Sequence, residues 1–407
     1  MTPEIKKRIE QIRRGEVPEW YKKTKAGIVP VEWEEKRIGD VLKQRKTLMC
    51  ISEDAPLLSF TIEEGVIDPA DKKSNKRDFL IKDMATKKFA LTEVGDIIYN
   101  PANLKFGAIH RNNLRRGVVS PIYGIFYGEQ NSVFMGYLLH NQRFIDYAKT
   151  YTEGTVEKLK TLKADTFLKL KITLPPLAEQ KKIVEILTAQ DKLIELQNKK
   201  IEQLKMLKRI YTKSMFPKKG ANLPELRFKS FFDTWKQSKL GDEVTEMIAG
   251  GDVDKKLLVK KGMYPVIANA LNDDGIVGYY ENTFRVNAPA VTVTGRGDVG
   301  HAKARFANFT PIVRLLAIKS KHDVLFLENA INTLHIIVES TGVPQLTIPQ
   351  LSQYKLMFPS SLEEERAIGT VLGGIDHIIA LNRYKLNEEK QKKKALTQLL
   401  LSGIVRV

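Results

Sequence analysis

Two frames recur along the chain, and the distance between copies changes part-way. VEWEEKRIGD (31–40) returns as DTWKQSKLGD (233–242), with Trp33 matched to Trp235, Gly39 to Gly241 and Asp40 to Asp242 at an offset of 202. Further on, Leu177, Ile183, Leu187, Asp191, Ile194, Ile201 and Lys208 meet counterparts in Leu362, Ile368, Leu372, Asp376, Ile379, Leu386 and Lys393 at an offset of 185. Self-similarity of this kind constrains the fold before any single element does. The offsets differ by 17 residues, so the frames match while the segments between them differ in length and show no obvious similarity. The expectation is a pseudo-two-fold arrangement carrying two divergent inserts.

The second frame is a long amphipathic run in each copy. Rows seven apart (Leu187, Ile194, Ile201; Leu372, Ile379, Leu386), with Ile183, Leu204 and Ile368 beside them, mark a coiled-coil-like seam. Pro175–Pro176 precede the first run, and Pro359 with Ser360 and Ser361 precedes the second. Proline is tolerated at a helix start and serine caps it. Acidic side chains open each run (Glu179; Glu363, Glu364, Glu365) and lysines and arginines close it, which complements the helix dipole. Each helix should run about 37 residues, roughly 55 Å. Related by a pseudo-two-fold, the two should pair antiparallel.

The inserts read differently. Residues 89–128 and 263–318 hold short β-type runs broken by Gly, Asn and Pro. The fold class expected is therefore α+β: two globular α/β domains separated by two long helices in an antiparallel coiled coil. The expected boundaries are an N-terminal helical segment (1–30), a first domain (31–175), a central helix (176–216), a linker (217–231), a second domain (232–359) and a C-terminal helix (360–407). Within the N-terminal segment, Ile5, Ile9 and Ile12 share one helix face.

Charge points to the partner. The 407 residues carry a net charge of +18. The excess is spread over all segments instead of sitting in a tail, which fits a folded surface meeting an extended polyanion. The single cysteine, Cys50, excludes an internal disulfide and a multi-cysteine metal site. No apolar run reaches the length of a membrane span, and the first residues lack the apolar core of a secretory leader. No membrane association and a cytoplasmic location are expected.

No catalytic centre emerges. VTVTGRGDVG (291–300) satisfies G-x-G-x-x-G at Gly295, Gly297 and Gly300, but HAKARFANFTP (301–311) lacks the helical stripe that a dinucleotide fold needs there. YNPAN (99–103) resembles the catalytic tetrapeptide of amino-methyltransferases, yet Ala102 and Asn103 replace its second proline and aromatic residue. The six histidines are scattered without metal-ligand spacing. The remaining candidates are groups suited to DNA. In the first insert these are Lys105, Arg111, Asn112, Asn113, Arg115 and Arg116. In the second they are Tyr279, Tyr280, Arg285, Arg296, Lys303 and Arg305. Asparagine pairs with adenine and arginine with guanine through two hydrogen bonds each.

The repeated frame resembles the specificity subunit of type I restriction–modification enzymes. The match is carried by YKKTKAGIVPVEWEEKRIGD (21–40), SPIYGIF (120–126), EGT…LKITLPPLAEQKKIV (153–184), FPKKGANLPELRFKSFFDTWKQSKLGD (216–242) and LTQLLLSGIVRV (396–407). FPSSLEEERAIG departs from the usual double-proline, Glu-Gln start of the second helix. The resemblance implies two target-recognition domains, each reading half of a split, asymmetric sequence in double-stranded DNA. It implies helices that dock two modification subunits, which methylate adenine N6 with S-adenosylmethionine, and restriction subunits that bring ATP- and Mg-dependent translocation and cleavage. This chain would bind no cofactor and catalyse nothing alone. The alternatives are a coiled-coil interaction scaffold without DNA specificity, and a stand-alone DNA-modifying enzyme.

Overall fold

Each matched frame folds as a strand pair that brackets its insert. The computed structural model describes residues 2–25, 27–71, 86–128, 131–153, 160–336 and 345–407. Among the strands of the first repeat are β1 (Glu34–Arg37), β2 (Lys43–Gln44), β3 (Ile97–Tyr99), β4 (Ile109–Arg111), β5 (Gly124–Tyr127) and β6 (Lys171–Leu174). Those of the second include β7 (Lys236–Lys239), β8 (Val244–Ala249), β9 (Ala290–Thr294), β10 (Ala302–Arg305), β11 (Leu315–Ser320) and β12 (Lys355–Phe358). β1 pairs antiparallel with β6, and β7 with β12, so each insert leaves and re-enters its frame at one two-stranded ribbon.

The inserts share more than their sequences suggest. The first carries an antiparallel sheet in the order β4-β3-β5-β2, and the second carries β10-β9-β11-β8. Strand for strand these are the same sheet. The helix after β5 (Ser132–His140) is capped by Asn131, whose Oδ1 accepts from the Phe134 amide at 3.1 Å. Its counterpart after β11 (Val324–Asn332) is capped by Asp323, which accepts from the Leu325 and Phe326 amides. The α+β class expected from the sequence is the one observed. The lack of resemblance between the inserts does not extend to their sheets. Strands of two to six residues, β3 and β9 buried throughout their length, tolerate any apolar residue of suitable size, so topology outlives identity.

The long helices span Leu177–Met215 and Leu362–Leu401, 39 and 40 residues. At 1.5 Å per residue each is about 60 Å long. The chain divides into two compact units, residues 1–195 with 387–407, and residues 196–386. In the first unit the core gathers Tyr99, Phe126, Phe134 and Phe167 around Ile183 and Leu187 of the first helix and Leu400 and Leu401 of the second. In the second unit Trp235, Phe326 and Phe358 surround Ile368 and Leu372, with Met215 and Phe216 in the places repeat-equivalent to Leu400 and Leu401. Four of the expected seam residues, Ile183, Leu187, Ile368 and Leu372, are thus built into domain cores as well as into the helix pairing. The seam made of helix residues alone is shorter: in the second unit, Ile201, Ile375 and Ile379 with Leu204, Tyr211, Val371 and Leu386. Ile194 is half-buried and belongs to none of the apolar clusters of the described residues.

Within each unit the helix segments run antiparallel, and polar groups fix their register. Gln197 Nε2 donates to Asn382 Oδ1 at 2.8 Å, a bond between two repeat-equivalent residues. Lys208 pairs with Asp376 at 2.6 Å in the second unit, and its equivalent Lys393 pairs with Asp191 in the first. Among the described residues no helix is long and apolar enough to cross a membrane.

A buried clasp closes each frame. In the first unit Trp33 Nε1 donates to Glu179 at 3.1 Å, and Arg406 donates to the same carboxylate at 2.6 and 3.0 Å. In the second, Trp235 Nε1 donates to Glu364 at 3.2 Å and Arg227 donates at 2.7 and 2.8 Å. Residues 217–231 contain no helix or strand, and Arg227 ties them to the second frame. The N-terminal helix, Pro3–Arg13, buries none of its residues fully and is tied down by Arg8, which donates to the Ile404 carbonyl at 2.6 Å.

Candidate nucleic-acid interface

The two motifs that invite a catalytic reading turn out to occupy one structural place. Residues 100–108 connect β3 to β4, and residues 295–301 connect β9 to β10, so YNPAN and GRGDVG enter equivalent hairpins. In the first, Asn100 Oδ1 accepts from the Ala102 amide at 3.0 Å, and the Asn103 amide donates to the Asn100 carbonyl at 3.1 Å. The Asn100 side-chain oxygen is spent on its own turn. Tyr99 lies buried against Phe126 and Phe167, its hydroxyl on the Leu162 carbonyl at 2.8 Å. Burial pushes that phenol well above its ordinary range. A single 3₁₀ turn, Leu104–Phe106, then ends on Gly107 at φ +91°.

In the second hairpin Thr294 Oγ1 accepts from the His301 amide at 2.9 Å, and the Gly300 amide donates to the Thr294 carbonyl at 2.8 Å. Gly297 and Gly300 adopt φ +76° and +86°. A strand comes next, not a helix, so no helix N-terminus exists there to hold a pyrophosphate. Asn269 braces the base of the loop, accepting from the Gly295 amide and donating to the Val313 carbonyl, both at 2.8 Å.

The candidate DNA-contact residues fall into distinct settings. Asn112 is fully buried: it donates to Thr92 Oγ1 and to the Arg115 carbonyl and accepts from the Leu114 amide. Tyr280 is 5% exposed, its hydroxyl accepting from the Asp254 amide. These two build loops and present nothing to a base edge, because every hydrogen-bonding group they own is committed to the interior. Arg111 donates to Ser132 at 3.1 Å and to Asn113. Arg115 pairs with Asp68, and Arg116 lies between Glu93 and Asp54. Arg285 donates to the Asp252 carbonyl, and Tyr279 exchanges backbone hydrogen bonds with Val259. Lys303 pairs with Asp274, and Arg305 donates to Thr292 and to the Asp274 carbonyl. The surface pairs among these are weakly held. Lys105 and Arg296 stand apart, since both occupy hairpin tips. Lys105 lies over the ring of Phe106, and Arg296 is exposed with no ion pair among the described residues.

Sequence reasoning passed over two features. Phe106 is 63% exposed at its hairpin tip. Lys255, Lys256, Lys260 and Lys261 are all exposed on one loop, and the pattern KKLLVKK (255–261) is a signal that could have flagged them. Among the described residues no group of His, Cys, Asp or Glu is arranged to hold a metal.

The sequence profile of the type I restriction-modification DNA specificity domain matches residues 30–206 and 233–391, one copy per repeat. The chain belongs to that family. It is 25% identical to a putative type I restriction enzyme MjaX specificity subunit from Methanocaldococcus jannaschii, covering 95% of this chain and 97% of that protein. It is 24% identical to the MjaVIII specificity subunit of the same organism, over 93% of this chain and 94% of that one. In fold it is similar to the crystal structure of a type I restriction-modification S subunit from M. genitalium, at 14% identity, with a TM-score of 0.59 and coverage of 90% of this chain and 96% of that one. The protein is thus a specificity subunit, a non-catalytic component whose function is recognition of DNA sequence. Specificity subunits of this family work within assemblies of restriction-modification subunits on DNA.

Proposed function

We propose that each insert reads one half of a bipartite, asymmetric DNA site. The paired helices set the spacing between halves and dock two modification subunits. Those subunits carry S-adenosylmethionine and methylate adenine N6, and restriction subunits bring ATP and Mg. The observation that carries this reading is the contrast between repeated frame and unrepeated tips. Two inserts share one sheet, strand for strand, yet connect its strands through hairpins with no residue pattern in common. Such an arrangement supports two half-sites of unrelated sequence. Two continuous helices of about 60 Å also suit a rigid spacer, since half-sites on one DNA face lie about 34 Å per turn apart.

The test is exchange of residues 31–175 for the corresponding domain of another specificity subunit, then mapping of methylated adenines in the reconstituted complex. One half-site should change and the other stay. A change in both halves removes the assignment of one insert to each half. Duplex affinity should also fall steeply with salt, as phosphate contacts require.

A further inference from the structure

The two equivalent hairpins differ in the chemistry of their tips while agreeing in how rigidly they are held. In the first, the turn is locked beneath by Leu104, 1% exposed, and closed by Gly107 in the left-handed region. In the second, Gly300 packs where a Cβ would sit 2.7 Å from Ile336, and Asn269 pins Gly295 from below. Above these bases the chain opens. Phe106 is 63% exposed with Lys105 over its ring, and Arg296, Gly297 and Asp298 are exposed, with open space where a Cβ on Gly297 would sit. Rigid support below and an exposed side chain above, Phe106 at one tip and Arg296 at the other, is what a reading element requires, because a contact made by a preorganised group loses little to ordering.

The other candidates lack that combination. Asn112 and Tyr280 are interior, while Arg285 and Arg305 spend donors on carbonyls of their own unit. The 255–261 lysines are point charges on a loop, suited to phosphates and indifferent to sequence.

Resting on the DNA-specificity reading above, we propose that these hairpin tips are the base-reading elements of the two inserts. Arg296 reads a guanine in one half-site through O6 and N7, and Phe106 packs on a thymine methyl in the other, with Lys105 on the neighbouring phosphate. A two-stranded ribbon fits the major groove, where guanine presents two acceptors matched to a guanidinium and thymine presents its methyl. The guanidinium makes both bonds in one plane; an ammonium cannot.

The experiment uses the full chain reconstituted with its modification subunits on a duplex library randomised across both half-sites, with methylated products sequenced. Arg296→Ala should relax one G·C position in a single half-site, with discrimination falling about 10- to 100-fold. Arg296→Lys, which keeps the charge, should relax the same position. Phe106→Ala should relax one A·T position in the other half-site only. An unchanged motif with Arg296→Ala or Phe106→Ala overturns the assignment of that tip. A uniform loss across all sequences with a shallower salt slope overturns base reading in favour of phosphate contact. Wild-type complex that yields no bipartite motif defeats the underlying reading itself, which keeps the two failures apart.

Discussion

Replacing Glu364 with alanine strands two buried donors at once. Its side chain is 1% exposed and accepts from the Trp235 indole and, through both oxygens, from Arg227, itself 13% exposed. A buried N–H left without an acceptor costs about 1–3 kcal/mol, and breaking a buried ion pair from one side about 3–5 kcal/mol. Arg227 keeps one acceptor, the Asp233 carbonyl at 2.6 Å, which sets the expected loss near the lower end, about 3 kcal/mol. The repeat supplies an internal control. In the first unit Arg406 is 37% exposed and also pairs with Glu32, so water and a second carboxylate soften the loss. Glu179→Ala should therefore cost about 2 kcal/mol, less than Glu364→Ala. Urea unfolding monitored by tryptophan fluorescence reads both, because Trp33 and Trp235 report on separate units, with the exposed Trp20 replaced by phenylalanine. At a slope of about 2–3 kcal/mol/M, the second unit's midpoint should fall by about 1 M. In a double-mutant cycle, Glu364→Ala with Arg227→Ala should show coupling above about 1 kcal/mol. A loss below about 1 kcal/mol for Glu364→Ala, or a larger loss for Glu179→Ala, refutes the reasoning.

His322 sits between Glu365 at 2.6 Å and Glu243 at 3.1 Å; burial opposes its protonation, but the two carboxylates outweigh it and raise its pKa above the ordinary histidine range. That contribution to stability is full below the unfolded-state pKa and is lost as pH rises through the folded one, so melting temperatures across that window should fall in wild type relative to His322→Gln. Gln197→Leu combined with Asn382→Leu should raise the melting temperature, since a polar pair in a helix interface trades stability for register; a lower one contradicts that role. Gly300→Ala should cost more than Gly297→Ala by about 1–2 kcal/mol in chemical denaturation, because both have positive φ but only Gly300 faces Ile336.

The frames were legible because their residues are constrained in identity. Trp33 and Trp235 each need an indole N–H for the clasp, and Leu187 and Leu372 are both fully buried at the same helix register. The inserts were not legible as a shared sheet, because β3 and β9 need only buried apolar residues and read IIY in one and AVTVT in the other. Polar loop residues were the least legible. Asn112 and Asn113 are neighbours of identical type, yet one is fully buried and spent on three hydrogen bonds while the other lies outside. Nothing local separates them; only the fold decides which backbone groups need an acceptor.

The clasp shows why position alone is a poor guide even in a repeat. Glu179 and Glu364 are matched at the 185 offset, and Trp33 and Trp235 at 202, but the arginines obey neither. Arg406 lies beyond the end of the second helix, and Arg227 lies beyond the end of the first at a different distance. Both reach the same carboxylate geometry, two nitrogens on two oxygens. A buried carboxylate must be paired, and selection acts on that requirement, not on the residue number that meets it. In the first unit the arginine comes from the segment that also meets the N-terminal residues, where Tyr21 donates to the Gly403 carbonyl at 2.6 Å. Removing residues 402–407 should therefore lower the stability of the first unit by at least as much as Arg406→Ala. The unfolding transition reported by Trp235 should stay in place, and a shift of both transitions would mean that the clasp does not act within its own unit.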